Sequence, residues 1–182
     1  NTERVLKQKA TPIFIIIGNP PYNANQLNEN DNNKNRTYRI LDKRVSDTYG
    51  KDSKATLLNK LHDPYVKAIR WASDRIGNNG IIAFVSNNSY LSDIAFDWMR
   101  KHLTEGFDDI YIIDLGGNVR KNPKLSGTKH NVFGIQVGVS INLFIKYALP
   151  DGKQNASIYY HSVGEYWSKE QKYDFLDEVK SV

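Results

Sequence analysis

The 182-residue chain contains no cysteine, so disulfides and cysteine-ligated zinc sites are excluded. Methionine occurs once, and the first residues, Asn1-Thr2-Glu3-Arg4, carry neither an initiator methionine nor a signal peptide. The expectation is a piece of a longer polypeptide. No apolar run approaches the length of a membrane span. A soluble, cytoplasmic protein without a membrane partner is expected. Excess charge is also scarce: 25 basic against 20 acidic residues leave a formal +5. That balance permits a nucleic-acid partner without requiring one. Most of the excess lies between Lys34 and Lys60, where Lys34, Arg36, Arg39, Lys43, Arg44, Lys51, Lys54 and Lys60 face Asp42, Asp47 and Asp52.

Apolar pattern is what remains, and it alternates. Ile13-Phe14-Ile15-Ile16-Ile17, stopped by Gly18, predicts a buried parallel strand. Asp63-Pro64 starts a helix, with Asp63 as N-cap and Pro64 at the first position. Tyr65, Ile69, Ala72 and Ile76 then share one face. Strands are predicted at 80–85, 110–114, 137–147 and 156–160. A helix over 93–103 would turn Ile94, Trp98 and Leu103 inward, and Trp71 reads as packing on its own helix. Residues 169–180 predict a last helix. Strands alternating with helices predict an α/β fold whose sheet is mostly parallel, with flanking helices. Residues 1–150 form the expected catalytic unit and 151–182 the passage to a following domain.

The chemistry concentrates behind the first strand. Ligands of an open α/β sheet bind beyond the C-terminal strand ends, and Asn19-Pro20-Pro21-Tyr22 sits at one. An exocyclic adenine amine is a poor nucleophile, because its lone pair is delocalised into the ring. Hydrogen-bond acceptors around that amine favour a more tetrahedral nitrogen. The Asn19 side-chain oxygen and the Pro20 carbonyl supply two. The two prolines hold the loop and lower the cost of ordering it. Tyr22 can stack on the base, which must first be flipped out of a duplex.

From residue 13 to residue 147 the chain resembles the adenine-N6 methyltransferase domains of restriction–modification systems. The likeness is greatest to the large single-polypeptide, type I-like enzymes. Gly18-Asn19-Pro20-Pro21-Tyr22-Asn23, Asp63-Pro64-Tyr65, Gly80-Ile81-Ile82-Ala83-Phe84-Val85-Ser86-Asn87 and Ala95-Phe96-Asp97-Trp98-Met99-Arg100-Lys101 carry it. Asp114-Leu115-Gly116-Gly117-Asn118, Asn131-Val132-Phe133 and Val137-Gly138-Val139 complete it. The resemblance implies a C-terminal part of a Rossmann-like, S-adenosylmethionine-dependent methyltransferase fold. It implies methyl transfer to the N6 amine of a flipped adenine in double-stranded DNA. Pro21 and Tyr65 would lie at the cofactor, and Phe133 would stack on the base opposite Tyr22. Phe133 reads equally as a core residue. Nuclease, helicase or target-recognition domains are implied elsewhere in the full-length chain.

One departure is large. The glycine-rich cofactor loop and its ribose-binding carboxylate are absent, and Asp114-Leu115-Gly116-Gly117-Asn118 only superficially resembles them. These residues alone are therefore expected to bind S-adenosylmethionine weakly or not at all and to be inactive. Arg36, Arg39, Lys43 and Arg44 are candidate DNA-backbone contacts in a lid, or else belong to a solvated, disordered connection. The four histidines lack metal-ligand spacing, and no metal is expected. Asp93 and Asp97 lack an obvious partner. Other readings are a methyltransferase acting on a protein glutamine or an RNA guanine amine, and a non-catalytic DNA-binding module. If the first strand's edge is uncovered, self-association is expected.

Overall fold

A computed structural model describes residues 2–21, 37–55, 58–125, 128–147 and 155–179. The elements in chain order are α1 (Thr2–Ala10), β1 (Ile15–Gly18), α2 (Arg39–Val45), α3 (Pro64–Arg75) and β2 (Gly80–Asn87). Then come α4 (Asp97–Gly106), β3 (Asp109–Gly116), β4 (Val139–Lys146), β5 (Ser157–Ser162) and α5 (Lys169–Glu178). The sheet order is β1-β2-β4-β3-β5. β1 runs parallel to β2, and β3 runs parallel to β5. β4 is antiparallel to both of its neighbours. Four strands therefore share one direction, and β4 is inserted against them. Two of the four strand pairings are parallel and two antiparallel, so the sheet is mixed rather than mostly parallel, and it is flanked by helices.

Alternation along the strands builds two cores. Ile16, Ile82, Phe84, Ile110, Ile112 and Phe144 face one side, where they pack with Tyr49, Tyr65, Ile69, Phe96 and Met99. Val85, Ile113, Leu115, Val139 and Ile141 face the other, toward Val163, Trp167, Phe175 and Leu176. α3 forms as predicted. Asp63 caps its N-terminus by accepting from Tyr65 N at 3.4 Å, and Tyr65, Ile69, Ala72 and Ile76 are all buried. The segment after the catalytic loop is not a disordered connection where it is described. α2 continues into a π-helical turn over Ser46–Gly50, and Val45 and Tyr49 are fully buried.

Three further expectations need correction. β1 is an edge strand, and Ile15 and Ile17 are 61% and 78% exposed rather than buried. Its outer edge pairs with no other described strand. The stretch 93–103 is a short 3-10 turn over Ile94–Phe96 followed by α4. That break rotates the helical face, so Ala95, Phe96, Met99 and Leu103 point inward while Ile94 is exposed. Trp71 is half exposed, on the wall of a cleft that α3 shares with α2 rather than in the core.

Asn142 joins the central strands from within. It accepts hydrogen bonds from the Tyr90 hydroxyl at 2.6 Å and Ser140 Oγ at 3.0 Å. Its amide donates to the Phe84 carbonyl at 3.0 Å and Ser86 Oγ at 3.1 Å. All four residues are buried. This polar knot sits beneath the strand ends that carry the candidate site.

Candidate active site

Because β1, β2 and β3 run in one direction, their C-termini open at one edge of the sheet. The Asn19-Pro20-Pro21 loop follows β1 there, Asn87-Asn88-Ser89 follows β2, and the long 117–138 connection follows β3. Asn19 is exposed and makes no hydrogen bond to another described residue, whereas Pro20 is buried and Pro21 exposed. Among the described residues nothing engages the asparagine amide, and the next residue is buried. Tyr22 and Arg36 lie outside the described residues.

The 117–138 connection is built to present Phe133. Gly117 has φ +78°, and a Cβ there would meet the His130 carbonyl at 2.9 Å, so this pair of glycines makes a close turn. That turn accounts for Gly116-Gly117 without a cofactor. Asn131 is buried and donates to the Gly117 and Val137 carbonyls at 3.2 and 2.7 Å. Its oxygen accepts from Phe133 N at 2.9 Å and Ile135 N at 3.3 Å. Phe133 is 48% exposed, so it is not a core phenylalanine. The far end of the chain clamps the same connection. Lys172 Nζ donates to the His130 carbonyl, Tyr173 OH donates to the Val132 carbonyl at 2.8 Å, and His130 Nδ1 lies 3.1 Å from the Trp167 carbonyl. Lys172 is fully buried, and that burial lowers its pKa. No sequence signal marked Asn131, Lys172 or Tyr173 as organising this loop. Asn131→Ala is expected to destabilise the chain by about 2 kcal/mol, because two buried carbonyls and two amides lose their partner. A lower urea midpoint at unchanged m-value is the readout, and an unchanged midpoint would contradict this role.

Pro21 and Tyr65 do not share a cavity. Pro21 lines a cleft of about 1050 Å³ together with Arg39, Lys43, Arg44, Lys67 and Trp71. Tyr65 lines a separate cavity of about 190 Å³, with Asn87, Ser89, Asn118, Arg120 and Lys121 on its walls. The buried Tyr65 hydroxyl has no hydrogen-bond partner, and burial raises its pKa well above the ordinary tyrosine value. An orphaned buried hydroxyl costs stability, so Tyr65→Phe is expected to leave the melting temperature unchanged or raise it. A marked drop in melting temperature would show an intramolecular partner.

Asp93 and Asp97, which lack an obvious partner for general acid–base work in the sequence, are held by structural contacts. Asp93 receives Lys60 at 2.8 Å and Lys121 at 2.7 Å. Partial burial works against its ionisation, but the two lysines hold it below the usual carboxylate range. Asp97 accepts from Ser53 Oγ at 2.6 Å and Lys54 N at 3.0 Å. In the predicted lid, Lys43 pairs with Asp47 at 2.6 Å and Arg44 with Asp74 at 3.0 Å. Among the described residues no group of histidine and acidic side chains is arranged to hold a metal ion. No described helix is long and apolar enough to cross a membrane.

The sheet and this strand-end edge define a Rossmann-like α/β fold. A putative class I methyltransferase from Listeria monocytogenes shares it, with a TM-score of 0.50 and 13% identity over 93% of this chain and 42% of that one. The family follows from nearer relatives. The chain matches the ATP-dependent Type ISP restriction–modification enzyme LlaBIII, solved bound to DNA, at 40% identity and a TM-score of 0.87. It matches DrdV, solved as a DNA complex, at 43% identity and 0.81. It matches a nuclease-deletion mutant of the Type ISP enzyme LlaGI, solved with a DNA substrate mimic, at 38% identity and 0.83. These matches take in 97–100% of this chain but only 12–17% of theirs. The chain belongs to this family of restriction–modification enzymes and corresponds to a small part of their length. No family model and no curated protein sequence matches it.

Proposed function

We propose that the chain carries the target-base side of the active site of an adenine-N6 DNA methyltransferase within a restriction–modification enzyme. The observation that carries the reading is an unengaged Asn19 on a strand-end loop anchored by buried Pro20, at the same sheet edge as the exposed Phe133. Asn19 Oδ1 and the Pro20 carbonyl accept hydrogen bonds from the exocyclic amine of a flipped adenine. Phe133 and Tyr22 close on the two faces of the base. The amine needs no strong base beforehand, because its proton leaves after the methyl group arrives.

S-adenosylmethionine supplies the electrophilic methyl group when bound. The cleft at Pro21 fits the adenine end of such a cofactor, offering an apolar wall that includes Trp71. It does not offer a free carboxylate for ribose hydroxyls. Its two acids, Asp47 and Asp74, are engaged by Lys43, Arg44 and Arg70. Tyr65 lies in a separate cavity with its hydroxyl buried, so it is assigned no contact to a cofactor in this cleft. Arg39, Lys43 and Arg44 on the cleft, with Arg36, add DNA-backbone contacts. The three restriction–modification relatives, solved with DNA or a DNA substrate mimic, support duplex DNA as partner and nuclease, helicase or target-recognition domains in the same full-length polypeptide.

Nucleoside analysis of DNA from cells expressing the full-length protein tests the reading. N6-methyladenine above the level of an Asn19→Ala control is expected. Methylation of a protein glutamine or of RNA guanine instead, or of nothing, would sink it.

A further inference from the structure

The connection after β3 carries charge of one sign only. Residues 118–130 contain Arg120, Lys121, Lys124 and Lys129 and no aspartate or glutamate. Arg120, Lys124 and Lys129 are exposed, and none has a carboxylate partner among the described residues. Lys43, Arg44 and Lys67, by contrast, are each neutralised by an aspartate.

The backbone beneath these cations is held. Lys121 Nζ reaches Asp93 at 2.7 Å and Ser92 Oγ at 2.8 Å. The Asn118 side chain accepts from Lys121 N, and the Asn122 side chain accepts from Lys124 N, both at 3.1 Å. Glu165 approaches the segment, but it is engaged by the Asn122 amide at 2.7 Å. Ordering the backbone that bears the cations lowers the entropy cost of meeting a polyanion. Further along the chain the same connection carries the exposed Phe133.

We propose that this connection holds the phosphodiester backbone of duplex DNA next to the flipped nucleotide, with Arg120, Lys124 and Lys129 as the phosphate contacts and Asp93 as the residue that positions Lys121. The proposal rests on the DNA-methyltransferase reading and adds a surface to it. Contacts of this kind give affinity and salt dependence rather than sequence choice.

Fluorescence anisotropy of the full-length protein with a labelled duplex, between about 50 and 200 mM salt, tests it. Each lost phosphate contact lowers the log–log salt slope by about 0.9. Arg120→Gln/Lys124→Gln/Lys129→Gln is therefore expected to lower the slope by about 2 to 3 units and to weaken binding most at low salt. Lys7→Gln/Lys9→Gln on α1 should leave the slope unchanged. Arg120→Lys/Lys124→Arg/Lys129→Arg, which keeps the charge, should retain it. An unchanged slope in the neutralised triple variant of a protein that still binds and methylates DNA overturns this surface alone. Equal loss in the charge-conserving variant overturns it too, as a structural effect. Failure of the unmodified protein to bind duplex DNA overturns both this surface and the function it rests on.

Discussion

Asn19→Ala is expected to lower methyl transfer to DNA by about 100- to 1000-fold, the scale on which one preorganised polar contact to a reacting group acts. The argument is geometric. Asn19 is exposed and makes no hydrogen bond to another described residue, so the fold does not depend on its amide. Pro20 beside it is buried, so the backbone of the loop does not rely on that amide either. Truncation should therefore leave thermal unfolding and duplex binding as they were and act on kcat. Asn19→Asp keeps an acceptor oxygen and is expected to lose less. Full methylation by the alanine variant would remove Asn19 from the mechanism.

The largest effect on stability is expected at Asn142. Asn142→Ala strips a buried acceptor from the Tyr90 hydroxyl and from Ser140 Oγ, and a buried donor from Ser86 Oγ and the Phe84 carbonyl. Burial pushes the Tyr90 pKa upward, so that hydroxyl stays neutral and, in the variant, is a buried donor without its acceptor. A loss of about 3–5 kcal/mol is expected, and urea denaturation measures it. Tyr90→Phe combined with Asn142→Ala should cost less than the sum of the two single changes, since the orphaned hydroxyl is then gone. Strict additivity would mean that the two side chains do not support one another.

What was legible in the sequence was local. Asp63-Pro64 announced α3 because a cap and a proline at the first turn act within one or two residues. The 3.6-residue spacing of Tyr65, Ile69, Ala72 and Ile76 named its buried face correctly. The β-branched run into Asn19 located the strand-end loop to within a residue or two. What was hidden was nonlocal. Period alone cannot say whether a face has a partner, so Trp71 and Ile94 read as packing residues and are exposed. Asp93 found its partners in Lys60 and Lys121, about thirty residues away in either direction. The exposure of Phe133 depends on Asn131 and on Lys172 and Tyr173, some forty residues further on. The antiparallel course of β4 left no mark in its own composition, since an inserted central strand is as apolar as a parallel one.

That insertion sets an order of events. β4 lies between β2 and β3, so before it docks the sheet exists only as two unconnected pairs, β1 with β2 and β3 with β5. Neither pair joins the Asn19 loop to the Phe133 connection, which runs directly into β4. A nascent chain that ends just before β4 therefore carries the Asn19 loop and the Phe133 connection without a shared framework. Joining them waits on contacts of long sequence separation, which form slowly. Competence toward a base should thus appear in one step, with the closing of the sheet, rather than accumulate as the chain lengthens.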